Sequence, residues 1–224
     1  SEYAGKTTLV NKIVDWRDET MGPPIPLGIV RYHDHFTLPW VGHWDEISEI
    51  DLKKFMELGP ELKEMFQRYQ FSYHMSNLLY RDSDHILVGF HIEEAVYAPR
   101  YYGYGAKGEY ADRERMARSI ELEIMEQAPD TVLVFVKASP KIIADRMKKT
   151  PHKRTVLKPD DIDETIEAFE QHVSNSLLRY KITLDTSNSP VADTMAEFVE
   201  KIEPHLSQSD RLRIQTHTSL KRAV

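Results

Sequence analysis

The chain has no cysteine, which excludes disulfides, a thiolate nucleophile and cysteine-ligated zinc. No apolar run approaches the roughly 20 residues that a membrane span needs, so no membrane partner is expected. A positive balance is missing as well. Lys and Arg number 29 against 36 Asp and Glu, a net charge of −7, so the chain as a whole does not complement a nucleic-acid polymer. No signal peptide is visible, and a reducing compartment, the cytoplasm, is the expected location. What is present is 224 residues, 41% hydrophobic and 29% charged, enough for one domain with a substantial core.

The most specific feature stands at the start. Gly5-Lys6-Thr7-Thr8 matches the last positions of the phosphate-loop pattern G-x-x-x-x-G-K-[ST]. The pattern's first glycine would precede Ser1, so the natural chain is expected to continue upstream with the strand that feeds the loop. Gly5 permits a backbone turned toward an anion. Successive N–H groups and the dipole of the following helix attract phosphate. Lys6 would reach the β- and γ-phosphates and the Thr7 hydroxyl would ligate Mg²⁺. Leu9, Val10, Ile13 and Val14 continue at helical spacing.

Beyond this helix, short apolar runs alternate with helical patterns. Leu27–Tyr32, Ile86–Phe90, Thr131–Val136 and Ile182–Asp185 read as buried strands, the second running out into His91–Glu94. A helix is expected from Pro60, with Leu62, Met65, Phe66, Tyr69, Tyr73, Leu78 and Leu79 at helical spacings. Others are expected over Asp112–Gln127, Pro140–Lys149, from Asp160 or Asp161 through Val173, and over Val191–Ile202, with a Tyr- and Gly-rich loop over Tyr97–Gly108. The expectation is an α/β fold: a P-loop NTPase-type parallel sheet flanked by helices on both faces, three layers α/β/α. Residues 1–206 would form the domain, with a lid at about 146–158; residues 207–224 would be a tail, or an edge strand from Leu212 to Thr218.

Ligands of open parallel sheets sit beyond the carboxyl ends of the strands, and there the sequence resembles the deoxynucleoside kinase and thymidylate kinase branch of P-loop kinases. Glu93-Glu94-Ala95-Val96-Tyr97-Ala98-Pro99-Arg100-Tyr101 is similar to that family's E-R-S-V-Y-S-D-R-Y, matching at Glu93, Val96, Tyr97, Arg100 and Tyr101. Phe66-Gln67-Arg68-Tyr69 matches F-Q-x-Y. The segments Asp130–Arg146 and Leu184–Ser187 look like their counterparts in thymidylate kinases. Glu94 stands in place of the family's arginine and Pro99 in place of an aspartate. An acid facing an acceptor phosphate would repel it, which favours an uncharged hydroxyl acceptor.

The resemblance implies an ATP- and Mg²⁺-dependent kinase acting on a small acceptor, a nucleoside or nucleoside monophosphate, with a homodimer allowed. Phosphoryl transfer needs positioned charge and a modest base. Lys6, Asp34, Glu93 and Arg146 are the catalytic candidates: Asp34 as base, with His33 and His35 beside it, and Glu93 toward Mg²⁺ with Thr7, or Glu94 instead. Gly5, Lys6, Thr7, Thr8, Arg146, Arg154 and Ser187 would contact ATP. Gln67, Arg100, Tyr97 and Trp40 would contact the acceptor, Gln67 through paired donor and acceptor groups. Two alternatives remain: a kinase of another hydroxyl compound such as a sugar or antibiotic, and a nucleotide-switch module, which the lack of an N-K-x-D guanine motif disfavours.

Overall fold

The computed structural model describes residues 1–22, 30–33, 37–38, 45–46, 48–75, 84–152 and 155–222. In chain order the elements are α1 (Lys6–Met21), β1 (Val30–His33), β2 (Thr37–Leu38), β3 (Asp45–Glu46), α2 (Glu49–Glu57), α3 (Pro60–His74), β4 (His85–Val88) and α4 (Phe90–Tyr97). A π-helical turn follows at Ala98–Tyr102, then α5 (Arg113–Gln127), β5 (Val132–Lys137) and α6 (Pro140–Lys149). A 3₁₀ turn at Pro159–Asp161 leads into α7 (Ile162–Asn175), followed by β6 (Tyr180–Asp185), α8 (Val191–Ile202) and α9 (Gln208–Arg222). Among the described residues the strands form three two-stranded ladders: β1–β4 and β5–β6 parallel, β2–β3 antiparallel. The chain divides into two compact units, residues 1–25, 129–163 and 178–224 in one, 26–128 and 164–177 in the other.

The core of the first unit lies between the β5–β6 ladder and two helices. Along β6, Ile182 and Leu184 are buried while Lys181, Thr183 and Asp185 are exposed, the period-2 signature of a strand with one covered face. Ile182, Leu184 and Val136 pack with Ala4 and Leu9 at the start of α1 and with Phe198 of α8. Trp16 meets Phe198 edge to face, ring centres 5.7 Å apart. The apolar face of α1 is thus held on the ladder, and its N-terminus is fixed at the carboxyl end of β6. Gln208–Arg222, where a tail or edge strand was expected, is a helix. It carries no buried residue and packs along α1, with Lys221 donating to the Glu19 carbonyl at 2.7 Å.

In the second unit, β4 ends at Val88, and Gly89 and Phe90 both take positive φ, 84° and 44°. Phe90 is buried against Phe71, ring centres 5.0 Å apart, packing that holds a bulky residue in a costly conformation. The turn starts α4 at once. Phe90, expected as the last strand residue, and His91–Glu94, expected at the strand's end, are therefore helical, with Glu93 in the first turn. Tyr97 ends α4 and is not part of a loop.

Helix α3 is inside out. Its buried residues are Lys63, Glu64, Gln67, Gln70, Phe71 and His74, whereas Leu62, Met65 and Tyr69, apolar residues at helical spacing, are 48%, 61% and 60% exposed.

Candidate functional site

The phosphate-loop residues lie in the first unit. Gly5 is the N-cap of α1 in the left-handed region, φ 91° and ψ 16°, a conformation that glycine adopts without penalty. A Cβ placed there would meet nothing within 4 Å, so the space beside the loop is open. The first bond closing into the helix runs from Leu9 N–H to the Gly5 carbonyl at 3.1 Å. The N–H groups of Lys6, Thr7 and Thr8 precede it at the positive end of the helix dipole. Thr7 and Thr8 are exposed and Lys6 is partly so. This donor set fits an anion carrying several oxygens, and the Thr7 hydroxyl fits a hard cation bound to that anion.

Two groups brace the loop from below. The Thr186 hydroxyl, just past β6, donates to the Ala4 carbonyl at 2.8 Å. Arg146, in the last turn of α6, donates through Nη1 to the Tyr3 carbonyl and the Thr186 hydroxyl, both at 3.0 Å, and through Nη2 to the Thr186 carbonyl at 2.7 Å. The expectation for Arg146 was a cation on the transferring phosphate; in the structure its terminal nitrogens hold backbone oxygens, and the loop is joined to the end of β6. Ser187, expected near ATP, accepts a hydrogen bond from Ser139 N–H at 2.8 Å and ties β6 to the start of α6. Its own N–H donates to Asp185, and the Ser187 bonds hold that carboxyl below the usual carboxylate range. Arg154, Asp34 and Trp40 lie outside the described residues, as does His35.

The second unit holds a buried polar cluster between α3, α4 and α5. Arg113 is 1% exposed. Its Nε donates to Glu94 and its Nη1 to Glu64, each at 3.1 Å. The Tyr104 hydroxyl donates to the same Glu94 oxygen at 2.6 Å, and the Tyr104 ring lies under the guanidinium, 4.8 Å from centre to carbon. Burial pushes the Tyr104 hydroxyl far above its ordinary pKa, and the neighbouring Glu94 adds to the rise. The loop from Tyr104 to Asp112 is shaped around Arg113. At Gly105, φ 84°, a Cβ would stand 2.4 Å from Arg113 Cγ, so only glycine fits. Glu94 is thus enclosed, paired with Arg113 and bonded by Tyr104.

Of the expected acceptor contacts, Gln67 faces inward on α3; Glu93, expected toward Mg²⁺, is buried on α4 beside Glu94 in sequence. Tyr97 has no exposed surface and packs as a core ring, edge-on to Phe169 and Tyr101, with both ring centres 5.6 Å away. Arg100 pairs with Glu164 at 3.2 Å. A second buried link joins α4 and α5: His91 Nε2 lies 3.0 Å from Glu121, which also accepts from the Ser176 hydroxyl and Leu177 N–H, both at 2.6 Å. Burial works to raise the Glu121 carboxyl; the bonds from His91, Ser176 and Leu177 outweigh it and leave the pKa below the ordinary value. Sequence reasoning missed Glu64, Arg113, Tyr104 and Glu121. The available signal was the polar spacing of Glu64, Gln67, Gln70 and His74 along one face of α3. Among the described residues no group of three or more histidine and carboxylate side chains could hold a metal ion, and no helix is long and apolar enough to cross a membrane.

His74, at the end of this polar face, gives the first prediction. Burial, with a smaller contribution from His85, lowers its pKa from 6.5 to about 4. Between these values the unfolded chain binds more protons than the folded one. Stability from this group is therefore full above pH 6.5 and falls as the pH drops toward 4. The whole span amounts to at most about 3 kcal/mol, and His172, also lowered by burial, acts in the same direction. Urea unfolding across this range should show the decline, and His74→Gln should flatten most of it. Parallel pH slopes for the two proteins would remove His74 as the cause.

No protein-family model matches the chain, and neither a curated protein nor a solved structure matches it.

Proposed function

We propose that the protein is an ATP-dependent phosphotransferase that moves the γ-phosphate onto a small acceptor, a nucleoside or nucleoside monophosphate, in the cytoplasm. The observation that carries this reading is the start of α1: Gly5 left-handed at the N-cap, Lys6 and Thr7 next, and open space beside the glycine. Each unit carries one parallel two-stranded ladder, β5–β6 in the first and β1–β4 in the second, and parallel pairing supports an α/β reading.

In this reading the N–H groups that open α1 hold phosphate oxygens, and Lys6 neutralises charge as the γ-phosphoryl group moves. The Thr7 hydroxyl would help hold Mg²⁺, as would Glu93 in the sequence reading, and the ion would supply further charge neutralisation. Asp34 takes the acceptor proton. Arg146 and Thr186 act one step back by fixing the loop they hold. Gln67 recognises the acceptor through its carboxamide. With Glu94 enclosed and paired with Arg113, a monophosphate stands beside an uncharged hydroxyl compound as the acceptor.

The test is a panel of nucleosides, nucleoside monophosphates and sugars, each given with an ATP analogue and Mg²⁺ while the unfolding midpoint is measured. A ligand at about a hundred times its Kd stabilises by roughly 2.7 kcal/mol. A midpoint rise confined to nucleosides or their monophosphates is the expected result. A rise with sugars alone moves the acceptor class, and no response to the ATP analogue sinks the proposal.

A further inference from the structure

Two side chains at the start of the chain make contacts that phosphate binding does not require. In G-x-x-x-x-G-K-[ST] the residues between the glycines are unspecified, because the loop holds phosphate through its backbone. Glu2 and Tyr3 occupy two of those positions. Both turn away from phosphate chemistry and onto one short segment, the turn that follows α6.

The Tyr3 ring stacks on His152, with ring centres 4.0 Å apart and planes inclined by 18°. The Tyr3 hydroxyl accepts the His152 backbone N–H at 2.9 Å. Glu2 accepts the Val156 backbone N–H on Oε1 at 3.0 Å and the Thr155 hydroxyl on Oε2. Leu157, next along, is buried. Tyr3 has φ 60°, a left-handed conformation that costs a bulky residue about 1 kcal/mol or more. That conformation is kept while the ring, hydroxyl and carbonyl of Tyr3 all hold this region, the carbonyl through Arg146. Two backbone N–H groups, one ring stack and one hydroxyl bond thus link Glu2 and Tyr3 to His152, Thr155 and Val156.

We propose that Glu2 and Tyr3 are positioning residues that latch His152, Thr155 and Val156 onto the phosphate loop before any nucleotide is bound. The cationic last turn of α6, with Lys148 and Lys149 just ahead of His152, is thereby held at the loop in advance. This deepens the ATP-binding reading and rests on it only for its effect on nucleotide. A pre-set cationic edge lowers the cost of ordering that ATP would otherwise meet. Loosening it should weaken ATP binding and spare the chemical step, which Lys6 and the acceptor base serve.

The experiment has two arms, both on the full-length protein. In the first, hydrogen exchange is followed without nucleotide. Glu2→Ala should speed exchange at the Val156 amide about tenfold, and Tyr3→Phe should do the same at the His152 amide while the stack persists. Glu2→Gln, which keeps an acceptor oxygen, should restore most of the Val156 protection. In the second arm, Glu2→Ala and Tyr3→Ala should raise the KM for ATP roughly tenfold and leave kcat within about twofold, with Glu2→Gln close to wild type. Wild-type exchange at both amides in all variants overturns the latch. Faster exchange with an unchanged KM overturns its role in binding. If the wild type binds no ATP, the proposed function fails, and the first arm still decides whether the latch exists.

Discussion

Arg113→Met should cost about 3–5 kcal/mol of folding stability, the largest single loss expected anywhere in the described core. The guanidinium is fully enclosed and holds Glu64 and Glu94 at 3.1 Å each. Removing it leaves two buried carboxylates without their cation, and that desolvation penalty, not the lost attraction alone, sets the size of the effect. Tyr104 can still donate to Glu94, and Arg68 to Glu64 at 2.8 Å, but Arg68 is half exposed and its bond is correspondingly weak. Arg113→Lys keeps the charge and loses the planar fork that reaches both acids, so an intermediate loss is expected. Adding Glu94→Gln to Arg113→Met should recover part of the stability, because one unpaired charge disappears. Denaturant unfolding of the three proteins checks this. A loss under about 1 kcal/mol for Arg113→Met would mean the cluster does not hold the unit together.

Lys6→Ala should reduce ATP turnover by at least about a hundredfold, as expected when a charge aimed at the transition state is removed. Its effect on folding should be small, within about 0.5 kcal/mol. Lys6 is the first residue of α1 and only partly covered, and alanine is a good helix former at that position. ADP release measured beside circular dichroism separates the two effects. A variant that keeps most of its turnover would end the phosphate-loop reading, whatever its stability.

The parts of the fold legible in the sequence were those decided locally. Pro140–Lys149 and Val191–Ile202 form helices with the expected bounds, because a proline at or beside the first turn and apolar spacing mark them without tertiary help. Helix α3 was legible as a helix, but its buried face was not. Leu62, Met65 and Tyr69 recur at helical spacing and are exposed, while Arg113, bonded to Glu64, draws the polar face inward. The polar spacing marks that face without naming a partner 49 residues away. The end of β4 failed for a related reason: Phe90 at φ 44° is held by Phe71, a contact that the strand's own sequence does not contain. Helix α9 carries no buried residue, so no apolar period announced it; its packing along α1 does the work that periodicity normally signals.

The site divides in the same way. Gly5, Lys6 and Thr7 were read from a motif whose spacing carries the chemistry. Arg146 was found from its basic surroundings, but its bonds to Tyr3 and Thr186 depend on residues 143 and 40 positions distant, and those bonds make it a brace of the loop. Tyr97, expected beside the acceptor, belongs to a ring cluster with Phe169, an arrangement that aromatic spacing alone cannot separate from a binding surface.

The central claim is phosphoryl transfer, and the most direct measurement follows the phosphate itself. The full-length protein would be incubated with Mg²⁺, ATP labelled in the γ-phosphate and a mixture of nucleosides and nucleoside monophosphates, and the products separated by mass. The account predicts label in one acceptor product, with ADP formed in equal amount and both lost in Lys6→Ala. Label found only in inorganic phosphate, or equal transfer by Lys6→Ala, would contradict it.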